Sequence, residues 1–268
     1  MYPALYFLHD FYGDRLALAS HGVAGELLRG MRGGRLPEFL VVAPSGPGSW
    51  FADSHDGLWR YEEFITKDLR REIESRYRVL GRAGSRGITG ISMGGYAAVR
   101  IALKHTELYG SVSALSGALI PFGPADVPRY NWVTRWSLKR VFGPLSKDNS
   151  LAANDVWEIL MHVCFDPAPF EAHLRAGTED FYRLDRVAAL FGALLNAHGV
   201  PTSVVLEPGG HDWTYWSRAM VSIAEWHGRR FTYDQEALRF EPRSVTKGIP
   251  AIQSQLKADG ASNVFQRP

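Results

Sequence analysis

The sequence predicts an α/β fold, a mostly parallel central sheet flanked by helices. Two observations lead there. Short apolar runs of strand length alternate along the chain with stretches of helical period, which is the pattern of a parallel sheet covered on both faces. The first two runs are apolar at nearly every position, as strands buried on both sides are. A length of 268 residues allows one large domain with a sizeable core.

Ala4-Leu5-Tyr6-Phe7-Leu8 reads as a fully buried strand with only three residues before it. Sheets rarely begin so abruptly, so either an edge of the sheet is missing or further sequence lies upstream. Leu16 to Met31 is expected to be helical. Phe39 to Ala43 is the second buried run, closed by Pro44 and a Gly/Pro/Ser loop through Ser49. Tyr61, Phe64, Ile65, Leu69, Ile73 and Tyr77 recur at helical spacing while Lys67, Asp68, Arg70, Arg71 and Glu72 point elsewhere. That predicts an amphipathic helix with a solvated face. Arg86 to Ile91 then reads as a strand, Gly94 to Lys104 as a helix and Gly110 to Leu115 as a strand.

From Gly117 to Pro169 the pattern loosens into Pro- and Gly-containing segments with two short helices, around Trp132 to Phe142 and Leu151 to Val163. This is an insertion between core strands. Regularity returns with Phe170 to Ala176 as a strand, Leu184 to Ala197 as a helix, Thr202 to Leu206 as a strand and Thr214 to Trp226 as a last helix. The folded domain is therefore expected to span residues 1–230, with residues 117–169 inserted. Residues 231–268 show little periodicity and predict a tail that lies on the surface or is disordered.

Composition narrows the function. Hydrophobic residues make up 46% of the chain and charged residues 22%, close to the average of soluble globular proteins. Thirty basic against 28 acidic side chains leave a formal charge of +2, too little for a polyphosphate-binding surface, so nucleic acid is not expected as a partner. The single cysteine, Cys164, allows neither an internal disulfide nor a multi-cysteine metal cluster, and it leans toward a reducing, cytoplasmic compartment. No apolar run approaches the roughly 18 residues that span a bilayer, and the N-terminus lacks the basic start of a signal peptide.

Gly90-Ile91-Ser92-Met93-Gly94 satisfies G-x-S-x-G, and it sits where a predicted strand ends and a helix begins, the context that motif requires. A sharp turn there forces the serine into strained backbone angles, and glycines at the flanking positions remove collisions with the neighbouring strand and helix. Ser92 Oγ would stand above the strand's carboxyl end, with Met93 N–H free to meet a developing oxyanion. Serine needs a base. Of nine histidines, His211 follows Pro208-Gly209-Gly210 in a loop directly after a predicted strand. Asp180, in Gly177-Thr178-Glu179-Asp180 after the preceding strand, is the preferred carboxylate to orient it, with Glu179 and Asp185 as the main rivals and Asp212 less favoured because a residue beside His211 rarely reaches its ring. The order Ser92, Asp180, His211 suits a serine hydrolase built on a parallel sheet. For the second oxyanion donor, the turn His9-Asp10-Phe11-Tyr12-Gly13 after the first strand offers Phe11 N–H first and Tyr12 second; a plain turn with Gly13 at positive φ is the other reading.

These stretches, Leu5 to Asp10, Ile88 to Tyr96, Gly177 to Asp180 and Pro208 to Trp213, together resemble the "putative esterase" family. That family includes esterase D (S-formylglutathione hydrolase), feruloyl esterases, enterochelin esterases and the antigen 85 mycolyltransferases. The resemblance covers about Tyr2 to Trp226. It implies an α/β-hydrolase fold without cofactor or metal, with Ser92 as nucleophile, His211 as base, Asp180 as acid, and Phe11 and Met93 N–H as the oxyanion hole. Family members usually carry additional N-terminal strands, so a sheet lacking those edge strands is expected. The tail after Phe231 has no counterpart.

Aromatic residues crowd the same sheet edge in sequence terms: Phe11, Tyr12, Trp50, Phe51, Trp213, Tyr215 and Trp216. Most are expected to be packing residues, with Tyr12 and Trp213 assigned to substrate and the insertion acting as a cap walled by Trp132 and Trp136. The expected activity is hydrolysis of a small-molecule ester with a short-chain or aromatic acyl group. The alternatives are acyl transfer to an alcohol, or a silent scaffold used for binding.

Overall fold

The computed structural model describes residues 1–123, 126–144 and 149–233. Its strands are β1 (Ala4–Leu8), β2 (Leu40–Val42), β3 (Arg86–Ile91), β4 (Ser111–Leu115), β5 (Glu171–Gly177) and β6 (Thr202–Glu207). They form one parallel sheet in the order β2-β1-β3-β4-β5-β6. Among the described residues no strand precedes β1, and Tyr2 makes only an isolated parallel bridge with Val79.

Period-two geometry divides each strand between two layers. Ala4, Tyr6 and Leu8 of β1 join one buried cluster with Ile88, Val112, Ala114 and Leu174, while Leu5 and Phe7 join the other with Ile91 and Leu115. β1, β3 and β4 are buried at every position, so helices must cover both faces. The second face is covered by α1 (Ala17–Ser20), α2 (Val23–Arg32) and the last helix α10 (Trp213–Gly228), through Leu18, Leu27, Trp216, Met220 and Ile223. The expected helix over 16–31 is split because Gly22 turns into left-handed backbone at φ +76°.

The first face carries α3 (Tyr61–Glu63), a π-helical stretch (Phe64–Leu69) and α4 (Arg70–Arg76), which together replace the single helix expected there. It also carries α5 (Met93–Lys104), almost wholly buried, and α9 (Leu184–Ala197). A buried ion cluster fastens α5: Glu62 Oε2 lies 3.1 Å from Arg100 and Glu62 Oε1 2.9 Å from both Lys104 and His105. Those partners overcome burial and hold the Glu62 carboxyl down at about 2.

The expected insertion provides α6 (Trp132–Phe142), α7 (Asn149–Ala152) and α8 (Val156–Met161). The helix expected over 151–163 is interrupted at Asp155, whose side chain caps α8 through Trp157 N–H. The compact body runs through Tyr233, a little past the expected boundary: Phe231 is buried against Phe39, and Thr232 N–H donates to Gly84 O at 2.7 Å. The remainder of the expected tail, 234–268, lies outside the described residues.

Candidate active site

The residues singled out in the sequence stand just beyond the carboxyl ends of the strands, the edge where open parallel sheets place their ligands. β3 ends at Ile91 and α5 begins at Met93, so the turn between them is Ser92 alone, at φ +54° and ψ −113°. That conformation is costly for a residue with a side chain and persists only where the surroundings impose it. They do: a Cβ on Gly90 would lie 2.2 Å from Gly94 O, and one on Gly94 would lie 2.1 Å from Leu8 O. Glycine at both positions lets α5 approach β3 and β1. Ser92 N–H donates to Leu115 O at 3.0 Å and Ser92 O accepts from Ala118 N–H at 2.9 Å, which fixes the elbow to the exit of β4.

The exits of β5 and β6 are locked together. Glu179 N–H donates to Gly209 O at 3.0 Å, and a Cβ on Gly177 would lie 2.0 Å from that oxygen. This approach carries Asp180 to the histidine: His211 Nδ1 is 2.7 Å from Asp180 Oδ2, and His211 Nε2 is 3.0 Å from Ser92 Oγ. Asp180 is 1% exposed, and its other oxygen accepts from Tyr182 N–H at 2.8 Å. A carboxylate at Nδ1 places the ring proton there and leaves Nε2 to accept from the serine hydroxyl. Tyr182 and Trp216 meet the ring edge-on at 5.0 and 4.8 Å and hold its plane.

The rival acids are engaged elsewhere. Asp185 receives two hydrogen bonds from Arg183 at 3.1 Å, Asp212 caps α10 through Tyr215 N–H at 3.1 Å, and Glu179 is exposed.

One residue that the sequence reading left without a role organises the loop after β1. His9 is fully buried; its Nε2 accepts from Gly46 N–H at 2.9 Å, so Nδ1 carries the proton and donates to Asp10 O at 2.7 Å. Burial lowers its pKa and keeps the ring neutral. His9 thereby ties the Asp10-Phe11-Tyr12-Gly13 turn to the loop after β2. Its position between a buried strand and the turn that carries Phe11 is the signal that could have found it. Gly13 is not at positive φ; the turn instead needs its missing side chain, because a Cβ there would lie 2.7 Å from Asp10 Oδ1.

A cleft of about 690 Å³ opens over Ser92. Phe11, Tyr12 and Trp50 line it from the exits of β1 and β2, Ala118 and Ile120 from the exit of β4, Phe181 and Tyr182 from the exit of β5, and Trp216 from α10. Residues 130–134 and Ser137 of the insertion supply the remaining wall, so the expected cap is there. Trp50 Nε1 donates to Ser137 Oγ at 3.1 Å and holds α6 against the cleft floor. Asp155 braces the other side by accepting from Phe122 N–H at 2.5 Å.

Two of the aromatic assignments need correction. Trp213 is not in the cleft: its ring stacks on His21 at 4.0 Å in a neighbouring depression that shares only Asp10 and Tyr12 with the cleft. As the first residue of α10 it points away from the ring of His211, which Trp216, three residues on, reaches instead. Trp136 is likewise outside, whereas Trp132 does form part of the wall. Phe51 and Tyr215 are core residues, as most of these aromatics were expected to be.

Comparison with known proteins identifies relatives of the whole domain. An acetyl esterase of Caldicellulosiruptor saccharolyticus is 28% identical over 226 residues, covering 77% of this chain and 80% of that one. Among solved structures, a ferulic acid esterase superposes with a TM-score of 0.68 at 27% identity, over 86% of each chain. MPT51 of Mycobacterium tuberculosis shares the fold at a TM-score of 0.67 and 14% identity, over 86% of this chain and 90% of its own. The profile described as "Putative esterase" matches residues 1–227, and the chain belongs to that family as a carboxylesterase of α/β-hydrolase fold.

Proposed function

We propose that the enzyme hydrolyses small carboxylic esters through a covalent acyl-enzyme on Ser92. One observation carries the reading: a strained serine at the head of α5 shares a hydrogen bond with a histidine whose far side is held by a buried carboxylate. His211 Nε2 takes the hydroxyl proton as Ser92 Oγ bonds to the ester carbon, and the carbonyl electron pair moves onto oxygen. Asp180 stabilises the imidazolium that forms. Collapse of the tetrahedral species breaks the bond to the alcohol, which leaves with the proton from His211. Water then repeats the sequence and releases the acid.

The oxyanion is met by Met93 N–H, which as the first helical residue has no partner within α5, and by Phe11 N–H. Phe11 is the better second donor because Tyr12 N–H already points to Asp10 Oδ2 at 3.4 Å. None of these steps calls on a metal or cofactor. The apolar walls from Phe11, Trp50 and Ile120 suit an acetyl or planar aromatic acyl group, the range named by the acetyl esterase and ferulic acid esterase relatives.

A fluorophosphonate probe tests the nucleophile: stoichiometric labelling that maps to Ser92 is expected, and labelling elsewhere, or none, would overturn the assignment. Hydrolysis and transfer separate by product. With p-nitrophenyl acetate and added ethanol, acetate should dominate; a predominance of ethyl acetate would make the enzyme an acyltransferase.

A further inference from the structure

The cap helix α6 has its apolar character divided between inside and outside. Leu138, Val141 and Phe142 are buried, yet Trp132 is 76% and Trp136 53% exposed, one turn apart on the same outer face. The loop carrying Leu58, 75% exposed, joins them: His55 N–H donates to Val141 O at 2.8 Å, and the Arg140 guanidinium lies 4.3 Å from the Trp59 ring and 5.4 Å from the Trp136 ring. Arg135 and Lys139 are exposed on the same helix, which has no Asp or Glu along its length. In the adjoining loop Asp56 is already engaged by Ser54 Oγ and Leu58 N–H.

We propose that this face docks on an anionic phospholipid surface. Exposed tryptophans interleaved with Lys and Arg on one short helix match the interfacial zone of a bilayer, where indole rings settle among headgroups and the cations meet lipid phosphates. A neutral polysaccharide could stack on the same rings but would gain nothing from three cations. Trp132 belongs both to this patch and to the wall of the cleft, so docking brings the mouth above Ser92 to the membrane, where ester substrates dissolved in lipid collect. This last consequence rests on the esterase reading; the docking itself does not.

The test is co-sedimentation of the full chain with phosphatidylcholine vesicles, with and without phosphatidylglycerol. Binding is expected with phosphatidylglycerol, with loss at high salt. Arg135→Gln and Lys139→Gln should each weaken it about fivefold, and Trp136→Ala should weaken it as well, while turnover of soluble p-nitrophenyl acetate and the thermal midpoint stay as in the parent. Absence of binding to phosphatidylglycerol vesicles, binding indifferent to all three substitutions, or retention on insoluble xylan instead of vesicles would overturn the proposal. Ser92→Ala should still sediment with vesicles, so loss of soluble-ester turnover and loss of docking report on separate claims.

Discussion

Among the described residues, serine–histidine contacts recur along one sheet, at His211, at His227 and at His173, whose Nδ1 lies 2.7 Å from Ser203 Oγ, and the first two make the sharper comparison. His227, on α10, is fully buried, with Nδ1 2.7 Å from Ser111 Oγ and Nε2 2.9 Å from Ser113 Oγ. Ser113 Oγ in turn donates to Thr89 Oγ1 at 2.7 Å, so it accepts from His227 Nε2–H, and Nδ1 accepts from Ser111. The distances match those at His211. What differs is everything around them: among the described residues the His227 ring is paired with serines and not with a carboxylate, those serines lie within β4, and the cleft above Ser92 is not lined by them. A hydrogen bond between serine and histidine is therefore no sign of catalysis. A strained serine at a helix head, a buried carboxylate and an open cleft supply the rest.

Substitution at the two sites should separate most widely in turnover. Ser92→Ala is expected to lower kcat on p-nitrophenyl acetate by about 10⁶-fold with the fold intact. Ser113→Ala should leave turnover per folded molecule near the parent value and cost about 1–3 kcal/mol of stability, since the His227 and Thr89 side chains lose a buried partner. Equal turnover in the parent and Ser92→Ala would remove the chemical distinction. Next in size, Asp180→Asn should lower kcat about 10⁴-fold by permitting the wrong tautomer of His211. Asp185→Asn, which only loosens a contact to Arg183, should have little effect, and the reverse ranking would move the acid.

Much of the candidate site was legible in the sequence because its signals are local. Gly90 and Gly94 announce a turn where backbone meets backbone, and Gly209 and Gly210 place His211 in a loop directly after a strand. The alternation of runs likewise gave the parallel sheet. What stayed hidden depends on contacts distant along the chain. Ser111, Ser113 and His227 read as ordinary strand and helix positions, and only the crossing of α10 over β4 brings them together. Trp213 was misassigned because helical phase, not sequence proximity to His211, decides which ring enters the cleft. His9 was passed over because its partner, Gly46, is in another loop.

His9 lies between the two constellations in kind: fully buried like His227, yet one step from the chemistry. His9→Phe removes the acceptor for Gly46 N–H and the donor to Asp10 O, which frees the turn that presents Phe11 N–H. The oxyanion donor would be misplaced rather than lost, so kcat should fall about 10- to 100-fold with KM little changed, less than outright removal of such a donor. His9→Gln, which keeps one acceptor and one donor, should recover part of that loss. A kcat unchanged in His9→Phe would mean that Phe11 is held without it.

The smallest effect is read from stability against pH. His227 is held well below its ordinary pKa by burial, with the positive charge of Arg230 adding repulsion, and burial lowers His173 to about 4. Both rings are neutral in the folded chain, whereas in the unfolded chain each binds a proton below about pH 6.5. The unfolded state then binds more protons, so the stability these rings contribute is full above that pH and falls as the solution is acidified. Between pH 8 and pH 5 the loss is on the order of 2 kcal/mol for each ring, visible as a lower urea midpoint. His227→Gln should begin less stable at pH 8, because the serine network is disturbed, but should show a shallower decline toward pH 5. A decline as steep as the parent's would mean that His227 takes up its proton as readily in the fold as in the unfolded chain, which its acceptor role toward Ser111 opposes.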